Sequence, residues 1–77
     1  MSRRTLPFNA IIERDGAGYT ALCPELDVAS QGATVEEARA NLIEAVELLL
    51  LETAEPAEIE SRLHREVFVT RVEVAAG

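Results

Sequence analysis

Alternating apolar and polar positions predict strands in the first half of the chain. In residues 5–14 and 19–23, the side chains of one face follow a partial period of two, typical of a strand buried on one side. Residues 15–18 between them contain two glycines, which can adopt positive φ in a turn. Pro24 ends the second strand, and residues 28–31 read as a short third strand. Together these segments predict an antiparallel meander.

A period near 3.6 then predicts a long helix from Val35 to about Glu52. Thr34 and Glu37 form a capping box, in which the Thr34 hydroxyl accepts from the Glu37 N–H and the Glu37 carboxylate accepts from the Thr34 N–H. The apolar stripe of this helix contains Val35, Ala38, Leu42, Ala45, Val46 and Leu49. The run Leu48–Leu51 makes the last turn apolar on every side, so we expect another chain to cover it. The alternative is that the segment after Pro56 folds back over it.

The last third of the chain predicts a second helix and a fourth strand. Residues 55–57 can begin a short helix, since proline suits the first helical position, and Ile59 and Leu63 give it a narrow apolar face. Val67–Val74 is β-branched and alternating, which predicts a strand. The order is β-β-β-α-(α)-β in the α+β class, with the long helix packed on one face of the sheet. We expect the last strand to lie parallel to the first.

Length and composition predict one small domain over residues 1–77, with a hydrophobic fraction of 48%. No apolar run is long enough for a transmembrane helix, and no apolar stretch of a signal peptide follows Met1–Arg4. We therefore expect a cytoplasmic protein. A domain of this size buries a limited core, and the single Cys23 excludes an intramolecular disulfide. We expect self-association, as a dimer or tetramer, to add stability.

The formal net charge of −7 lies entirely in residues 34–60, which hold eight acidic residues and one arginine. The remaining acids and arginines balance. Such a surface repels the phosphates of nucleic acid and suits a basic partner, whereas the alternative is a helix face that only aids solubility. We expect no direct nucleic-acid binding by this chain and no membrane binding.

Candidate catalytic residues are few. His64 is the only histidine and has charged neighbours in what reads as a solvated turn. Cys23 lies on a strand face without a candidate base nearby, which favours a small core residue. The sequence has neither a phosphate-binding glycine loop nor zinc-ligand spacing. We predict no enzyme activity, no metal site and no cofactor.

Three short motifs give the chain its family resemblance: Pro-Glu-Leu at 24–26, Ser-Gln-Gly at 30–32 and Thr-x-x-Glu-Ala at 34–38. Supporting matches are Phe8, Ile11-Ile12-Glu13, Asp15-Gly16, Gly18-Tyr19, Cys23, Asn41-Leu42 and Glu44-Ala45. With these residues, the chain resembles the HicB-like antitoxin family from position 8 to about 50. The resemblance implies a partial ribonuclease H-like sheet and a role in inhibiting HicA, a small basic RNA-cleaving toxin with a double-stranded-RNA-binding-like fold.

The resemblance implies a ribonuclease H-like fold without its catalytic carboxylates. Nucleases of that fold hold two metals with acids on the first strand, the helix and the fourth strand. The corresponding positions here are Asn9, Ala10 and Ile11 in the first strand and Thr70 and Arg71 in the fourth. A metal-dependent nuclease is therefore a remote alternative. Many family members also carry a C-terminal DNA-binding domain, and this sequence shows none, so we expect no operon repression by this chain alone.

Two sets of residues are candidates for contacts with a toxin. The loop set is Asp15, Glu25, Asp27, Ser30 and Gln31, and the helix set is Glu37, Glu44 and Glu47. The candidates for an oligomer interface are Leu48, Leu51, Phe68 and Val72. The alternative function is an orphan homo-oligomeric binding module with no toxin partner. Asp27 and Val28 depart from the family, which often has a glycine and a small or apolar residue there, so the local turn can differ.

Overall fold

The computed structural model describes residues 6–53 and 55–77 and confirms the α+β class with a β-β-β-α-α layout. The elements are β1 (Ile11–Asp15), β2 (Gly18–Cys23), β3 (Val28–Gly32), α1 (Val35–Thr53) and α2 (Pro56–Leu63). The strands form an antiparallel sheet in the order β1-β2-β3. The predicted meander and both predicted helices are therefore present.

One face of the sheet forms the core with α1. Ile12 of β1 lies opposite Ala21 of β2, which lies opposite Ser30 of β3, and these positions face the helix. The buried apolar residues are Ala21, Cys23, Ala38, Leu42 and Val46, packed against the partly buried Phe8, Ile12, Tyr19, Leu26, Val28 and Leu50. The helix packs most extensively over β3 and least over β1. The β1 side of the helix is consequently the least covered.

The start of α1 is capped nearly as the sequence predicts. The Glu37 N–H donates to the Thr34 hydroxyl at 3.0 Å, as expected. The Glu37 carboxylate, however, accepts from the Ala33 N–H at 3.0 Å, one residue before the predicted Thr34 N–H. Asn41 adds a tie from the helix to the sheet, because its Nδ2 donates to the Gln31 carbonyl at 2.8 Å.

The close packing of α1 on β3 requires a glycine at position 32. A Cβ at Gly32 would lie 2.5 Å from the Ala38 nitrogen and 2.8 Å from the Glu37 carbonyl carbon. A Cβ at Gly18, across the strand pair, would lie 2.7 Å from the Gly32 carbonyl oxygen. Both glycines therefore let backbone approach backbone where the helix begins.

Helix α2 folds back toward the β2–β3 turn. Arg62 donates to the Glu25 carbonyl at 3.4 Å, and Arg65 donates to the Pro24 carbonyl at 3.2 Å. Within α2, Arg62 forms an ion pair with Glu58 at 3.5 Å. Leu49 and Leu50 of the leucine run are half-buried and line a small cavity together with Ile59 and Arg62 of α2.

Two strand predictions need correction. The first strand, predicted over 5–14, begins at Ile11; residues 6–10 are not in the sheet, and Thr5 lies outside the described residues. The predicted strand Val67–Val74 is wrong for this chain, because residues 66–77 contain neither helix nor strand. Strand propensity is realised only when a neighbouring edge completes the hydrogen bonds. Among the described residues, Asn9 Nδ2 donates to the Val67 carbonyl at the start of this segment, and the segment does not pair with β1 as predicted.

Gly32→Ala should destabilise the fold because its Cβ has no room against the first turn of α1. We expect a loss of about 1–3 kcal/mol in the free energy of unfolding, measured by urea denaturation. Gly77→Ala, with nothing within 4 Å of the added Cβ, is the matched control and should change nothing. Equal stability of the two variants would contradict the close approach.

Asp27→Gly should stabilise the turn where the sequence departs from the family. Asp27 has φ of +54°, a left-handed conformation that favours glycine. We expect a gain of up to about 1 kcal/mol in the free energy of unfolding, seen as a higher Tm. Asp15→Gly, in a strand, should instead cost about 0.5–1 kcal/mol. A lower Tm for Asp27→Gly would show that the aspartate side chain stabilises the turn.

Candidate functional site

The face of α1 turned away from the sheet is the main candidate surface. It carries the exposed Glu36, Glu37, Glu44 and Glu47, which we call the acidic face. In a helix with 3.6 residues per turn, these four positions fall on one side, opposite Ala38 and Leu42. The acids stand in fixed positions because the buried stripe holds the other side of the helix against the sheet.

Most carboxylates of the acidic face have no charge partner. Across residues 6–53 and 55–77, no ion pair or hydrogen bond engages the side chains of Glu36, Glu44 or Glu47. Glu37 differs, since its carboxylate caps the Ala33 N–H. The unpaired carboxylates repel one another and are attractive to a cationic surface.

Two leucines interrupt the acidic face near its C-terminal end. Leu48 is 52% exposed and Leu51 is 77% exposed, as the apolar last turn predicts. They lie four positions after Glu44 and Glu47, respectively, which makes them direct neighbours on the helix surface. Protein-binding surfaces commonly combine apolar side chains with a charged rim, and the two leucines beside the unpaired acids give this combination.

The loop set does not form one surface. Asp15 ends β1 at the first hairpin, whereas Asp27 lies in the β2–β3 turn at the opposite end of the sheet. Ser30 and Gln31 are consecutive in β3, so Ser30 is half-buried on the helix side and Gln31 is exposed on the open face. Only the helix set lies together.

Glu25, the fifth residue of the loop set, is a buried anchor. It is 4% exposed, and its carboxylate accepts from the Asn9 backbone N–H at 3.0 Å, from the Asn9 Nδ2 at 2.6 Å and from the Cys23 thiol at 3.5 Å. Burial acts to raise the pKa of Glu25. The hydrogen bonds from its own backbone N–H and from Asn9 outweigh burial and hold the pKa below its ordinary value.

The buried cluster of Asn9, Cys23 and Glu25 was missed at the sequence level. An acid that follows a proline reads as an exposed turn residue, and nothing local predicts that Asn9, 16 positions earlier, donates to it. The sequence gives one indication of the cluster, because Glu25 lies only two positions after Cys23, a residue on the buried face of its strand. In this structure the cluster joins the segment before β1 to the end of β2.

The two residues considered for catalytic chemistry, Cys23 and His64, lie in different surroundings. Cys23 is 1% exposed, and burial, together with the hydrogen bond to Glu25 and its charge, raises the pKa of its thiol. The thiol form is a poor nucleophile. His64 is exposed and lies 3.9 Å from the Glu60 carboxylate, on the surface of α2.

Comparisons of the chain with protein-family models, with curated proteins and with solved structures found no match. The likeness to HicB-like antitoxins therefore stays a prediction from the motifs. Among the described residues, no three His, Cys, Asp or Glu side chains are grouped to hold a metal ion. The helices of the same residues include none long and apolar enough to cross a membrane.

Glu25→Gln should destabilise the fold and change its response to acid. The amide cannot accept all the hydrogen bonds of the carboxylate, so we expect a loss of about 1–3 kcal/mol at neutral pH. Because the pKa of Glu25 is lowered by folding, its stabilisation is complete above the ordinary value of 4.5 and disappears as the pH falls through the lowered pKa. The variant should therefore lose less stability than the wild type between neutral and acidic pH.

The measurement is the free energy of unfolding by urea at a series of pH values. Glu66→Gln, an exposed acid after α2, is the matched control. It should keep the stability and the acid response of the wild type. Identical profiles for the two variants would contradict the anchoring role of Glu25.

Proposed function

We propose that this chain is a non-enzymatic, antitoxin-like binding protein that inhibits a small basic RNA-cleaving toxin of the HicA type. The observation that supports this function best is the acidic face, with three unpaired carboxylates on a helix held by the core. Toxins of this type bind RNA, and surfaces that bind RNA phosphates are rich in lysine and arginine. A fixed row of carboxylates is complementary to such a surface.

Inhibition would follow from masking. Glu44 and Glu47 would pair with cations that otherwise contact RNA, and Leu48 and Leu51 would exclude water beside them. Apolar anchors supply most of the affinity in such interfaces, while rim charges mainly raise the association rate and select the partner. The proposal requires no chemistry by the antitoxin itself, in keeping with the buried thiol of Cys23 and the occupied carboxylate of Glu25.

The cytoplasm is the expected location for this function, because the RNA that such a toxin cleaves is found there. The proposed complex contains protein only, and RNA is excluded from it by the same acidic face that binds the toxin.

A second candidate function is a homo-oligomeric binding module that has no toxin partner. The observation that favours it is the exposure of large apolar side chains, with Leu51 at 77% and Phe68 at 82%. Exposed apolar patches commonly mark contacts between proteins. This alternative predicts that the purified chain self-associates and that its host lysate provides no basic ligand.

The acidic face can be tested by charge reversal. A tagged chain is used to capture proteins from the host lysate at low and moderate salt, and the captured protein is assayed for RNA cleavage with and without the chain. We expect a small basic protein that is released by salt and whose RNA cleavage is blocked. Glu44→Lys with Glu47→Lys should weaken its binding by about tenfold or more at low salt.

The matched control is Glu55→Lys with Glu66→Lys, two exposed acids outside α1, which makes the same change in net charge. It should weaken binding less and leave the inhibition of cleavage intact. Capture of no basic protein at low salt would contradict the antitoxin function and favour the homo-oligomeric module. Equal weakening by the two double variants would show that net charge, and not the acidic face, governs binding.

A further inference from the structure

The outer edge of β1 is an unpartnered sheet edge. β1 pairs with β2 alone, since the sheet has the order β1-β2-β3. An edge strand presents unpaired backbone N–H and C=O groups, which readily accept an added strand. Proteins normally protect such an edge by covering it, and no described element covers this one.

An apolar groove lies beside this edge. It runs between residues 6–10 and the uncovered side of α1 and has a volume of about 530 Å³. Its apolar lining includes Leu6, Phe8, Ala10, Leu42, Val46 and Leu50. A strand added to β1 would direct every second side chain toward this groove.

The chain also carries a segment with the character of such a strand. We call residues 67–74 the arm. Phe68, Val72 and Val74 share one side of its alternating pattern and are 82%, 75% and 80% exposed. The arm is tied to the body at its first residue, where the Val67 carbonyl accepts from Asn9 Nδ2 at 3.2 Å. Its apolar side has no partner within the described chain.

We propose that two copies of this chain exchange arms, so that the arm of one copy pairs antiparallel with β1 of the other. In the register that fits best, Arg71 lies opposite Glu13 and Val72 lies opposite Ile12. Opposite charges then meet on the open face of the sheet, and the apolar side of the arm, including Val74, enters the groove. The inference does not rest on the proposed toxin binding.

Charge and side-chain pattern favour a second copy over the chain's own arm. The arm begins beside Asn9, just before β1, so it would run parallel to β1 of its own chain. That register also places Arg71 beside Glu13. It differs by placing Glu73 beside Asp15 and Val72 beside Arg14, which brings like charges together and leaves an apolar residue against a cation. Like charges on neighbouring strands are destabilising, and the antiparallel register avoids them.

The exchange also gives a closed dimer. Each copy contributes one arm and accepts one arm, so a two-fold dimer satisfies both edges and leaves no free site for further growth. The arm's backbone gains ladder hydrogen bonds, and its apolar side chains leave water. Both gains come from the surfaces that the single chain leaves open.

The molar mass of the purified full chain tests the dimer. We expect twice the 8.4 kDa of one chain by light scattering. Val72→Lys places a charge in the groove and should raise the dimer dissociation constant by about tenfold or more. Val69→Lys, on the other side of the arm and opposite Asp15, is the matched control and should preserve the dimer. Both positions are exposed in the single chain, so circular dichroism should show intact folding in both variants.

Disulfide formation between separate variants tests the register. Chains with Asp15→Cys are mixed with chains with Val69→Cys and oxidised; a covalent heterodimer is expected, because only antiparallel pairing brings these two positions together. Asp15→Cys mixed with Glu73→Cys, the pair that parallel pairing would bring together, should give little. Cys23 can stay in place because it is 1% exposed, and oxidation of the wild type is the blank.

Three outcomes would overturn the exchange. They are a monomeric mass at every concentration, a dimer that Val72→Lys leaves unchanged, and equal cross-linking in both mixtures. A monomer whose double variant Glu13→Cys with Arg71→Cys closes within one chain would show that the arm covers its own edge. None of these results decides whether the chain binds a basic partner, which is tested with variants on the acidic face.

Discussion

The fold depends on one buried carboxylate, that of Glu25, at the turn between β2 and β3. It holds Asn9 by both backbone and side chain, so the segment before β1 is fixed against the end of β2. The backbone carbonyls of the same turn accept from Arg62 and Arg65, which fixes α2 there as well. Only five apolar side chains are buried among the described residues, so the hydrogen bonds of this buried carboxylate take the place of apolar contacts in joining the segments.

The second constraint is the approach of α1 to β3, and it determines what the helix can offer to others. Gly32 lets the first turn of the helix contact the sheet backbone, and Asn41 ties the next turn to the Gln31 carbonyl. The helix thus leans toward β3 and leaves two of its sides open, the acidic face and the side above the β1 edge. These contacts hold the N-terminal part of the helix against β3, which suits a surface that must present carboxylates in fixed positions.

The features that could be predicted from the sequence are those that depend on residues close together in the chain. The cap of Thr34, the glycine turn between β1 and β2 and the stripe of α1 each follow from short-range patterns, and each is present. The burial of Glu25 depends on Asn9, a contact across 16 positions that no periodicity encodes. The arm failed as a predicted strand for a related reason: its alternation records strand propensity, but the edge that would complete the ladder is supplied from outside the segment. The helix set lies on one surface because a helix fixes the relative positions of its own residues. The loop set does not, because its residues lie at opposite ends and on opposite faces of the sheet.

The groove and the acidic face are neighbours, since Glu47 belongs to the acidic face and also lines the groove. An apolar arm in the groove would remove water from one side of this carboxylate and strengthen its attraction to a cation on the other side. Desolvation without such a cation would be unfavourable. Arm exchange and the binding of a basic partner would therefore favour each other, and the coupling must be equal in both directions. A chain with so small a core would gain from this arrangement, because the form that binds a basic partner best would also be the form whose open edge is covered.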